Sequence, residues 1–329
     1  MRVAPDRDSA AHDEEKLARL VRGYLVRVLP AASVPAEREM AYPGFHAVAH
    51  RVQRLLRRGE LGSQARMKLA AEVRAVAGRA SRCWARGVGQ IWHPWWAVDL
   101  APPEEHLAES LNRAVGQIPK HPDRVVDLAV TDWDSEHHQV FREACETLAQ
   151  VWPEMLAELS TVVRQIALLD GWGIDGYTDF TVHGTIFVNK ARLGMRPDEL
   201  PVHLCLAEAL VHEGTHNRCD AAAASDPFLA SAGAAAGTGP LLQTPLRADP
   251  RPLSGLFQQV VVLARSVLFY DRLPTTGPVR ARREFLLAQG LRGVATLRSQ
   301  VTGLTGHGCV VVDEANMLLV RRAEAARIQ

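Results

Sequence analysis

The chain has 329 residues, 47% of them hydrophobic and 23% charged, with a formal net charge of +1. That length supports one large domain or two modest ones, and the composition excludes a disordered chain. A near-neutral balance excludes broad phosphate neutralisation, so no nucleic-acid partner is expected. Five scattered cysteines (Cys83, Cys145, Cys205, Cys219, Cys309) form neither a CxxC pair nor a disulfide framework, which points to a reducing compartment. Met1 to Glu15 is charged and lacks a signal-type apolar stretch, and no run reads as a bilayer span. The expectation is a cytoplasmic protein with no membrane partner, and a homo-oligomer is left open.

In chain order, Asp8 and Ser9 are cap-type residues ahead of Leu17, Leu20, Val21, Tyr24 and Leu25 at helical spacing. Helices are predicted over 45–58 and 63–79. Trp84, Trp92, Trp95 and Trp96, with His93 among them, read as core packing rather than a ligand platform. A strand is predicted over 125–130, then a helix capped by Asp134 and Ser135 toward Trp152-Pro153, and a further apolar helix to about Leu169. Residues 180–188 alternate as a strand. A helix over 202–220 follows Asp198 and Pro201, and the Ala/Gly/Ser-rich stretch 221–239 reads as a loop. Helices over Leu253–Tyr270, 279–301 and 312–326 end the chain. The pattern is mostly α, of α+β class, with a small sheet. It divides into a helical N-terminal region, 1–100, and a catalytic domain, 101–329.

The chemistry concentrates in His212-Glu213-Gly214-Thr215-His216. On a helix, His212 and His216 project from one face, so both imidazoles can reach one ion. Glu213 points about 100° away, placed to act on a metal-bound water or to orient a ligand. Zinc hydrolysis is the usual use of this motif, yet the third ligand is missing from its usual places. Cys219 and Ala222 stand where a longer HExxHxxGxxH pattern needs Gly and His, and Leu253–Tyr270 holds no Glu or His. Asp220, Gln258, Asp271, Glu284 and His183 remain open as ligands, while Cys219 reads as a packed thiol. Downstream, Arg247 and Arg251 sit in a proline-framed turn. A guanidinium suits a small carboxylate, although one of the two could simply pair with Asp249 and pin the turn.

Three segments in order carry a resemblance: Val182-His183-Gly184-Thr185-Ile186-Phe187-Val188, the helix around His212 and His216, and Pro245-Leu246-Arg247 with Asp249-Pro250-Arg251-Pro252-Leu253. Together they resemble the HExxH-motif proteins encoded beside ribosomal peptide natural products, over roughly the second half of the chain. That resemblance implies an Fe(II)- and 2-oxoglutarate-dependent oxygenase that hydroxylates the β-carbon of a residue in a ribosomally made precursor peptide. It implies that His212 and His216 hold iron, that Arg247 or Arg251 pairs with the co-substrate carboxylate, and that Glu213 is catalytic. It also implies a third iron ligand at the position of Gln258, where the family pattern often has histidine. Two other readings stay open: a zinc peptidase or amidase with Glu213 as general base, and a degenerate, non-catalytic peptide binder.

Overall fold

The computed structural model describes residues 1–89, 96–118, 126–194, 200–230, 241–246 and 250–326, with side chains at 83–89 and 301 left aside. Asp6, two residues before the expected cap, accepts from the amides of Asp8 and Ser9 and starts α1 (Arg7–Val26). Proline at its first position starts α2 (Pro43–Arg58), and Gly59, at φ 68°, ends it in the left-handed conformation. With α3 (Ser63–Gly89) these helices enclose a core of Val21, Leu25, Phe45, Val48, Val73 and Val76.

The remaining helices are α4 (Glu105–Val115), α5 (Ser135–Val151), α6 (Pro153–Val162), α7 (Val202–Ser225), α8 (Leu253–Tyr270), α9 (Gly277–Arg298) and α10 (Gly306–Ala326). Five short strands complete the described chain: β1 (Asp99–Ala101), β2 (Asp127–Thr131), β3 (Gln165–Trp172), β4 (Gly176–Tyr177) and β5 (Thr185–Asn189). The protein is thus mostly α, with a small mixed sheet. β3 is central, parallel to β1 and β5 and antiparallel to β2, while β4 pairs antiparallel with β5 at the far edge.

Three sequence expectations need correction. The apolar run after Trp152 is not one helix to Leu169: α6 stops at Val162 and β3 begins at Gln165. Residues 165–169 are buried on both faces, so they alternate no more than a buried helix would, and periodicity cannot separate the two. The strand expected over 180–188 starts only at Thr185. Asp179 accepts from the Thr181 amide and closes a short 3-10 turn (Phe180–Val182), and Gly184, at φ 87°, resets the backbone after it. The stretch expected to loop from Ala221 remains helical to Ser225, since alanine continues a helix at little cost. Residues 231–240 lie outside the described residues.

Trp96 is wholly buried against Phe141 and donates to the Val163 carbonyl, as core packing requires. Trp92, His93 and Trp95 lie outside the described residues, as does the side chain of Trp84. α8 is long and apolar enough to cross a membrane, but it is largely buried and packs against α7, α9 and α10 as a core helix. The N-terminal helix is joined to α7: Arg218, fully buried, pairs with Asp13 at 2.7 Å and donates to Ser9 Oγ at 2.9 Å.

Candidate metal centre

α7 is hemmed in by α1, α5, α6, α8 and β5, so most of its circumference is core. Leu206, Leu210, Glu213, Asn217 and Arg218 are all buried. His212, His216 and Asp220, spaced four apart, form a half-buried stripe along one side. The two imidazole rings lie 5.2 Å apart, centre to centre.

Two contacts hold the stripe in register. Gly214 lets α6 approach: a Cβ there would lie 2.0 Å from Leu159 Cδ2. Asn217 ties the helix to the sheet, accepting from the Gly184 amide at 3.1 Å and donating to the Thr185 carbonyl at 3.2 Å. Neither residue stands out as functional in the sequence, although a glycine inside an apolar helix is itself a sign of close packing.

Glu213 faces the sheet. A Cβ on Gly176 would come within 3.0 Å of its Oε1, so the carboxyl, 4% exposed, lies directly over the backbone of edge strand β4. The absence of a side chain at Gly176 is what makes room for it. The neighbouring Tyr177 stacks on Phe187, with ring centres 4.2 Å apart, and burial raises its phenol pKa.

Gln258, half-buried on α8, is brought to the stripe. Its Oε1 lies 2.7 Å from His216 Nδ1, and its Nε2 donates to Asp220 Oδ1 at 2.8 Å. Burial raises the Asp220 pKa to about 6, against the opposing pull of His183 and the Gln258 hydrogen bond.

The other ligand expectations fare differently. His183 is buried with Nε2 2.8 Å from Glu14 Oε1, and its ring lies 5.2 Å from that of His46. Burial lowers its pKa, but the Glu14 carboxylate and the more distant Asp220 outweigh that and hold it above the ordinary value. Glu14 is 169 positions away, and nothing local in the sequence announces the pair. Asp271 is occupied by Arg283 and Arg322. Glu284 is exposed on α9. Cys219 is buried in the core, where desolvation pushes its thiol up to about 12, so it is a packed thiol.

Arg251 is half-buried just before α8, and its backbone exchanges hydrogen bonds of 2.7 and 2.8 Å with Leu242. This two-way bridge pairs Leu242, ahead of Pro245, with Arg251, next to Pro252. Arg247 and Asp249 lie outside the described residues.

Among the described residues, no group of three His, Cys, Asp or Glu side chains is gathered as a complete protein metal site would need. What the structure assembles is a pair of imidazoles on one helix face, an acid against an edge strand, and an arginine ahead of the facing helix. The chain matches no family model, and no curated protein matches it.

Proposed function

We propose that this protein is an Fe(II)- and 2-oxoglutarate-dependent oxygenase that hydroxylates the β-carbon of a residue in a ribosomally made precursor peptide. The observation that carries the reading is the placement of His212 and His216 on the half-buried side of a helix that is otherwise core. The donor set fits a first-row metal with open positions, since imidazole suits iron and two helix histidines leave room for a chelating co-substrate. Bound iron would let dioxygen supply the oxidising power for an unactivated C–H bond, with 2-oxoglutarate giving up two electrons as it is converted to succinate and CO2.

The chain's own residues bind and orient. His212 and His216 hold the ion, and Arg251 or Arg247 pairs with the distal carboxylate of the keto acid. β4 is the edge of the sheet on the side of Glu213, and a strand edge suits an extended peptide added alongside it. Glu213 then lies between the ion face and the peptide, in position to orient a water or a backbone amide.

The same placement of Glu213 favours a second reading, a zinc peptidase or amidase with Glu213 as general base. Anaerobic titration separates the two. The oxygenase should bind about one Fe(II) per chain. It should bind 2-oxoglutarate only once Fe(II) is present, developing a visible charge-transfer absorption, and should convert it to succinate when oxygen and its peptide are supplied. Cleavage of a peptide with Zn(II), without oxygen or keto acid, would install the hydrolytic reading. Binding of peptide with no uptake of either metal would leave a non-catalytic binder.

A further inference from the structure

The contact between α8 and α7 decides which nitrogen of His216 carries the ring proton. An ionised carboxylate only accepts hydrogen bonds, so the Gln258 amide nitrogen must be the atom facing Asp220. That fixes the amide from its far end and turns Oε1 toward His216 Nδ1, at 2.7 Å. An amide oxygen can only accept, so Nδ1 carries the ring proton and Nε2 keeps its lone pair.

We propose that Asp220 and Gln258 are positioning residues that lock His216 in its Nδ1–H tautomer and leave Nε2 as its metal-binding atom. The proposal rests on the metal reading above only for what Nε2 goes on to bind. It gives Gln258 a different role from the third ligand implied by the family resemblance. Its oxygen is engaged behind the ring, on the nitrogen opposite the coordinating one. Hydrogen-bond partners behind a ligating histidine orient the ring and strengthen it as a donor. A glutamine backed by a carboxylate performs that task through its amide oxygen.

The test reads the tautomer directly, in metal-free protein carrying 15N-labelled histidine, with the His216 signals identified by their loss in His216→Gln. Wild type should show a protonated Nδ1. Asp220→Asn is nearly isosteric but offers a donor as well as an acceptor, so the Gln258 amide can turn round. His216 should then populate the Nε2–H form, and affinity for Zn(II) or Fe(II) should fall by about 10- to 100-fold. The double variant Asp220→Asn with Gln258→Glu rebuilds the chain with reversed polarity. The amide introduced on α7 donates, the carboxylate introduced on α8 accepts from Nδ1, and both the tautomer and the affinity should return. A purely structural role predicts no such rescue.

An unchanged tautomer in Asp220→Asn would overturn the proposal. So would coordination of Zn(II) through Nδ1 in the loaded wild type, which would make Gln258 a neighbouring ligand. A wild type that shows Nδ1–H but takes up no metal would support the positioning role and refute the oxygenase reading.

Discussion

Replacing Glu158 with glutamine should destabilise the protein by about 4 kcal/mol, more than the loss of an ordinary buried hydrogen bond. Glu158 lies on α6 and is 1% exposed, between the fully buried Arg265 of α8 and Arg218 of α7. Its carboxylate accepts from both terminal nitrogens of Arg265 and from the Asp6 amide at 2.8 Å, and lies 3.7 Å from Arg218 Nε. Glutamine keeps the volume and removes the charge. Arg218 would keep Asp13, but Arg265 would keep only a neutral amide oxygen and the carbonyls of Val3 and Arg2, with no negative charge against its own. Breaking a buried ion pair by neutralising one partner costs roughly 3–5 kcal/mol, because the other charge stays desolvated. That is a large share of the 5–15 kcal/mol typical of a folded domain. Urea denaturation at neutral pH should show a lower midpoint with an unchanged slope. Replacing Arg265 by methionine together with Glu158→Leu should recover part of the loss, since apolar side chains avoid the desolvation cost. A loss below about 1 kcal/mol would refute the reasoning, because it would mean the two guanidinium groups reach water.

Three further outcomes follow from particular contacts. Gly214→Ala should cost about 1–3 kcal/mol by overpacking against Leu159, and Leu159→Ala in the same chain should return some of it, read by thermal or urea unfolding. Arg251→Ala or Arg247→Ala should weaken 2-oxoglutarate binding to the Fe(II)-loaded protein by about 30-fold, from the loss of a two-bond carboxylate contact. Unchanged affinity in both would make the turn purely structural. The Asp220 carboxyl, held near 6 rather than 3.8, binds its proton more tightly in the folded state. Its contribution to stability is therefore full below the unfolded value and is lost as pH rises through about 6. Metal-free wild type should lose about 1–3 kcal/mol relative to Asp220→Asn across that window, the upper figure being reduced by the side chain's partial exposure. Parallel stability curves for the two proteins would rule this out.

The sequence and the structure agree most closely where local chemistry decides. Leu253–Tyr270 is an apolar run framed by Pro252 and Asp271, and its helix has those same ends. Asp134 is a capping residue by type, and its carboxylate accepts from the His137 amide at the start of α5. The pairing of His212 with His216 follows from helical spacing alone. The misreadings lie where tertiary burial decides. Gln165–Leu169 is a central strand only because β1, β2 and β5 surround it, and nothing in its own residues records those neighbours. Gln258 shows the same limit within the site. A sequence can show that a glutamine stands on the helix facing the motif, but the direction of its amide is set by Asp220, 38 positions away. The stripe of His212 and His216 continues one turn further to Asp220, so helical spacing alone puts an acid on the same face. Spacing does not show whether that acid meets the ion or the back of a histidine. The intervening side chain answers that question: Gln258 separates Asp220 from His216, which makes the carboxylate's influence on the site indirect and makes its removal, rather than its replacement by a better ligand, the informative change.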